Sequence, residues 1–116
     1  MSTRSSAPDS SAPATIERVR ADDWARVRDI RLQAMRDDPD TFDRTPAAEE
    51  ALLPEHWRKR VAVGATFIAS LDSIDIGIIV VAPYPGRPET AIFGMWVAPE
   101  FRRKGIGNSL VDTTVE

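Results

Sequence analysis

Three cations and two glycines fall within the six residues Arg102-Arg103-Lys104-Gly105-Ile106-Gly107, between an apolar run and a helical one. The apolar run Ala91-Ile92-Phe93-Gly94-Met95-Trp96-Val97 reads as a strand that stops at Pro99, which has no backbone N–H to extend a ladder. Ile106, Leu110 and Val111 open a helix just beyond the glycines. A helix N-terminus exposes unpaired N–H groups and a partial positive charge, and a glycine lets an anion approach those donors without a Cβ in the way. The stretch therefore reads as a phosphate cradle. Two other phosphate motifs do not fit it. A Gly-x-x-x-x-Gly-Lys-Ser/Thr loop is absent, and Gly105-x-Gly107-x-x-Leu110 has leucine where a dinucleotide fingerprint needs a third small residue, whose acidic partner would lie beyond Glu116. A lone Gly-x-Gly would pass for an ordinary solvated turn. The preceding strand, Pro99 and the arginine pair set this one apart.

With that context, Val97-x-Pro99-x-x-Arg102-Arg103-x-Gly105-Ile106-Gly107 resembles motif A of the GNAT superfamily of acyl-CoA N-acyltransferases. The resemblance implies an α+β fold, a mixed and mostly antiparallel sheet flanked by helices. It implies acetyl-CoA as cosubstrate and a primary amine of a small molecule or protein as acceptor, joined by direct attack in a ternary complex. The backbone amides from Arg103 to Asn108, through Lys104, Gly105, Ile106 and Gly107, would hold the pyrophosphate, with Arg102, Arg103 and Lys104 adding positive charge. The backbone N–H of Val97 would donate to the thioester oxygen. Met95 and Trp96 would bracket the acyl end, a role that weighs about equally with core packing. Family members with a strand-borne carboxylate base carry it at a position that here is Ala91, which leaves Glu89, on the same face if the ladder is regular, or a water relay. The family's tyrosine acid comes from a helix after motif A, and Tyr84 is in the wrong segment to replace it. Arg31-Leu32-x-Ala34-Met35-x-Asp37-Asp38-Pro39-x-Thr41-Phe42 is similar to the family's first helix and following loop, making Arg31 and Phe42 candidates for contact with the acceptor.

The positioning elements follow from pattern. Thr15–Arg20 alternates as a short strand with one wet face. Asp22 and Asp23 are placed to cap a helix to about Arg36, whose apolar stripe is Trp24, Val27, Ile30, Ala34 and Met35. Pro46 suits a helix N1 position, with Glu49 and Glu50 favouring the dipole in the first turn. Pro54 then divides the segment into helical pieces of about 46–53 and 54–62, the second carrying a solvated His56. Residues 65–71 and 76–82 read as strands joined across Asp72–Asp75, and a proline-dense connection leads into the strand ending at Val97. This layout covers about residues 15–116 of the family fold and predicts a domain over 14–116, incomplete at its C-terminus, behind a disordered leader over 1–13 rich in Ser, Ala and Pro. An unpartnered last strand and an apolar stripe of Ile106, Leu110 and Val111 would then be exposed, predicting aggregation, partial unfolding or a homodimer through that edge.

Composition narrows the alternatives. The 116 residues are 42% hydrophobic and carry a net charge of −3, which fits one domain and argues against nucleic acid or acidic membrane as partner. The absence of cysteine removes thiolate chemistry and disulfides, and one histidine leaves no metal cluster with spaced partners. No signal-like or membrane-length apolar run is present, so a cytoplasmic location is expected. Two other readings remain open: a non-catalytic acyl-CoA binding or sensing module, and an interaction domain whose Arg102–Lys104 turn contacts phosphates of a nucleic acid or a protein partner.

Overall fold

The computed structural model describes residues 14–42, 44–83, 86 and 89–114. The expected leader over 1–13 and Tyr84 lie outside the described residues. Strand β1 (Thr15–Val19) is followed by helices α1 (Trp24–Asp37), α2 (Pro46–Glu50) and α3 (Pro54–Val63), strands β2 (Ala65–Leu71), β3 (Ile74–Pro83) and β4 (Thr90–Val97), and helix α4 (Ile106–Thr114). The described strands form one sheet in the order β1-β2-β3-β4, with every pairing antiparallel. The α+β layout read from the sequence is thus present. Asp72 and Ser73 both adopt left-handed φ, 51° and 68°, making a two-residue hairpin turn tighter than the four-residue link expected between β2 and β3.

Local chemistry explains most element boundaries. Pro46 and Pro54 each stand at the first position of their helix, and the Thr45 hydroxyl accepts from the Ala48 N–H at 3.1 Å. Asp23 holds the N-cap position of α1, but neither it nor Asp22 supplies the expected side-chain cap bond. They lie in a 3-10 turn over Ala21–Asp23, and the Asp23 carboxylate instead accepts from the backbone N–H of Arg20 at 3.3 Å.

The helices cover both faces of the sheet. On one, Val27, Ile30 and Ala34 of α1 and Val61 of α3 pack with Ile68, Ile78 and Trp96. On the other, Leu110 of α4 is buried against Ile79 and Val81, with Ile106 and Val111 half-buried beside it. The stripe expected to be exposed is therefore largely packed. Gly77 permits this close approach: a Cβ there would lie 3.2 Å from Leu110 Cδ1. Gly64 is constrained harder, since its Cβ would lie 2.3 Å from the Val81 carbonyl oxygen, where backbone cannot yield.

Two β-bulges reset which side chains share a face. Ala69 pairs with Gly77 but Ser70 with Asp75, leaving Ile76 as an extra residue of β3. Val80 pairs with Gly94 but Val81 with Ile92, leaving Phe93 extra in β4. Ladder alternation therefore changes phase at Phe93.

Glu49, read from the sequence as a first-turn helix carboxylate, is fully buried and paired with three arginines. Arg31 Nε and Arg60 Nη1 each donate to its Oε1 at 2.8 Å, and Arg60 Nη2 donates to Oε2 at 3.0 Å, where Arg44 Nε also donates. Burial pushes the carboxyl upward, but hydrogen bonds from Arg60 and Arg31 prevail and hold it at about 2, against an ordinary 4.5. Since the folded value is depressed, the associated stability is present above about pH 4.5 and is lost as pH falls towards 2. A thermal melt series over that interval should show the melting temperature dropping. Glu49→Gln should flatten the drop and cost about 3–5 kcal/mol at neutral pH, because three guanidinium groups lose their counter-charge.

Candidate active site

The end of β4 and the start of α4 meet at a turn whose backbone is set by two left-handed residues, Arg103 at φ 65° and Gly105 at φ 83°. Gly105 pays no steric cost for that conformation, and its carbonyl accepts the Ser109 N–H at 3.0 Å, the first bond of α4. The N–H groups of Ile106, Gly107 and Asn108 then fall in the first turn, ahead of any intrahelical acceptor. A Cβ on Gly107 would meet nothing nearer than Val97 Cγ2 at 4.0 Å, so the glycine leaves open space over these donors. Arg103 and Lys104 are exposed beside them, with the Lys104 ammonium 5.9 Å from the centre of the Phe101 ring. This donor set suits a pyrophosphate: several amides converge at a positive helix end, with exposed cations at the rim.

The strand side of the turn is built with equal economy. The Ala98 N–H donates to the carbonyl of Ile76, the bulged residue of β3, at 2.8 Å. Backbone groups alternate in direction along a strand, so Val97, one residue earlier, turns its N–H and C=O to the open side of β4. Its carbonyl accepts from Arg102 Nε at 2.8 Å. Arg102 Nη2 also donates to Asp37 Oδ2 at 2.7 Å, an oxygen that accepts the Trp96 indole N–H at 3.0 Å. The Trp96 hydrogen bond, ahead of Arg102, holds the Asp37 carboxyl below the usual carboxylate range. Arg102, expected to add charge for phosphates, thus spends two donors fastening the turn to the strand end and to the last residue of α1.

The remaining sequence-derived residues separate. Trp96 is buried in the core beside α1, while Met95 is 48% exposed on the other face of β4. Glu89 lies just before β4 and is exposed. The face that Glu89 would share with Ala91 is not the Val97 face, because the Phe93 bulge shifts the alternation between Ala91 and Val97. Arg31 and Phe42 come together, the guanidinium 5.3 Å from the ring centre, and both border a small crevice with Met95 and Trp96. Among the described residues no group of three His, Cys, Asp or Glu is placed to hold a metal, and no helix is long and apolar enough to cross a membrane.

Comparison with known proteins decides the family. A model of the acetyltransferase (GNAT) family matches residues 24–116. The chain belongs to the GNAT acetyltransferase family. No curated protein sequence matches it. Among solved structures, an aminoglycoside acetyltransferase from an uncultured soil metagenomic sample, in complex with sisomicin, is similar at 21% identity and a TM-score of 0.66, over 88% of this chain and 67% of that one. A GNAT family acetyltransferase from Brucella melitensis in complex with acetyl-CoA gives 21% and 0.63, over 88% and 66%. Diaminobutyrate acetyltransferase from Paenibacillus lautus, bound to L-2,4-diaminobutyric acid and coenzyme A, gives 22% and 0.60, over 90% and 58%. At these identities the likeness is one of fold, and the GNAT chain spans about three fifths to two thirds of those neighbours.

Sequence reasoning missed the part played by Asp37, which enters there only within the segment similar to the family's first helix and following loop, and the burial of Glu49. The one available signal was an acidic residue closing a helix in the same segment as Arg31 and Phe42. For the turn itself, Gly107→Asp should abolish coenzyme A binding by calorimetry. An aspartate in the first turn suits the helix dipole, so the fold should survive and the loss should report the cradle alone. Arg102→Ala should weaken binding only about fivefold, since a half-exposed cation contributes about 1 kcal/mol. A Gly107→Asp protein that binds like the parent would rule out the cradle.

Proposed function

We propose that this GNAT protein is an N-acetyltransferase that moves an acetyl group from acetyl-CoA to a primary amine of a small molecule or protein, without a covalent enzyme intermediate. One observation carries the reading: the open amides of Ile106, Gly107 and Asn108 and the outward N–H of Val97 lie at the two ends of a single turn. A ligand with a diphosphate at one end and a polarisable carbonyl at the other would match that pair. Acetyl-CoA supplies such a carbonyl as an activated thioester.

The chain's own residues have distinct parts in this proposal. The α4 amides bind and orient phosphate oxygens, with Arg103 and Lys104 screening charge from the rim. The Val97 N–H donates to the carbonyl oxygen as negative charge develops there, and it is pre-aimed because Ala98 is tied to Ile76. Arg102, through Val97 O and Asp37, keeps the strand end and the turn in register. Met95, half-exposed beside Val97, would flank the acyl position, while Trp96, buried beside α1, supports the strand. Glu89, off the ladder, is given no part, and the amine proton leaves through a water relay. A cytoplasmic enzyme acting on soluble amines completes the proposal.

Turnover tests it. Release of free thiol from acetyl-CoA should require both an added amine and the intact turn, across a panel of aminoglycosides, amino acids and peptides. Gly107→Asp should remove the release. Coenzyme A binding without thiol release on any amine would replace the enzyme with an acyl-CoA sensing module, and no binding at all would overturn both.

A further inference from the structure

A groove of about 430 Å³ lies between α1, α3 and the sheet, some distance along β4 from the turn. Its walls combine apolar groups, among them Phe93, Val80 and Trp57, with the guanidinium groups of Arg31 and Arg60. Phe93 is 55% exposed although large and aromatic, and it is the residue that the β4 bulge leaves out of the ladder. Trp57 is 1% exposed, and its ring N–H has no hydrogen-bond partner among the described residues. A buried donor without an acceptor is costly and rare in native proteins, and here it belongs to a residue of the groove wall.

The charge at this groove is unbalanced. Among the described residues Arg31, Arg44 and Arg60 share the carboxylate of Glu49, so the described part of the cluster holds two more positive charges than negative. Arg31 reaches Glu49 through Nε alone, which leaves its two terminal amino groups outside that contact. Both groove arginines are held in place from two sides. Arg31 stands over the Phe42 ring and Arg60 over the Trp57 ring, at 5.3 and 4.9 Å. Guanidinium planes fixed in this way lose little freedom when they accept an anion in a fork. Arg31 and Val80 also border the crevice lined by Met95 and Trp96, so groove and crevice share a wall on the stretch of β4 that precedes Val97. From Phe93 to Val97 the strand covers about 13 Å, the span of a small acceptor molecule.

We propose that this groove selects an acceptor that joins an apolar or aromatic body to a carboxylate. The body lies against Phe93 and Val80, and the carboxylate engages Arg31 and Arg60. The word acceptor rests on the acetyltransferase reading above, whereas the binding chemistry rests on the groove alone.

Two probes of equal shape separate charge from fit: 3-phenylpropanoate and its neutral amide, 3-phenylpropanamide, titrated into the full chain. Affinity would come from calorimetry and location from the Trp57 indole N–H resonance, assigned by its loss in Trp57→Phe. The carboxylate should bind at least tenfold tighter than the amide and should move the Trp57 resonance. Phe93→Ala, at an exposed site where folding should be unaffected, should weaken both probes at least fivefold while leaving coenzyme A affinity unchanged. Arg60→Gln should bring the two probes within threefold of each other, with its melting temperature recorded alongside. Equal affinities for the two probes, no binding of either, or a stationary Trp57 resonance would overturn the proposal. Carboxylate binding in a protein that fails to bind coenzyme A would keep the groove and remove only the acetyltransferase reading.

Discussion

Placing one carboxylate where water cannot reach it constrains much of the architecture on the α1 side of the sheet. Glu49 is tolerated there because guanidinium groups arrive from α1, from the connection before α2 and from α3, three separate pieces of chain. A buried ion of this kind is poor evidence of net stability, since an apolar replacement of similar volume can do as well. It does fix position. Two of the three arginines also stack on aromatic rings, so one ionised group sets the spacing of α1 and α3 and, through them, the width of the groove they flank.

A different logic holds the turn. No buried charge is used there, and the links are short and local: a bulge carbonyl takes Ala98, Arg102 takes Val97, and Asp37 ties Arg102 and Trp96 to the end of α1. The outcome is a strand end that is rigid on its β3 side and chemically open on the other. That asymmetry suits a donor that must point at a developing charge without first being released from a neighbour.

The phosphate turn was legible because its signals are local. Pro99, the glycines and the helix start act within a few residues of one another, and the family resemblance lies in that same segment. Helix starts at Pro46 and Pro54 were legible for the same reason. What stayed hidden depends on pairing across the chain. Glu49 has one partner near it in sequence, Arg44, but its burial depends on Arg31 and Arg60, which come from α1 and α3. The Phe93 bulge is equally silent, and it puts the face of Ala91, beside which the sequence offers Glu89, out of phase with Val97. Arg102 shows the intermediate case: its presence in the motif was plain, but its attachment to Asp37 required the fold.

The extra residue in β4 has a further meaning for how such a protein can change over time. Because the ladder shifts phase at Phe93, that one side chain of β4 forms part of the groove wall without belonging to the register that ends at Val97. Substitutions at Phe93 can therefore accumulate without disturbing the pairing that ends at Val97. A single strand with a fault in it allows two binding problems to drift independently.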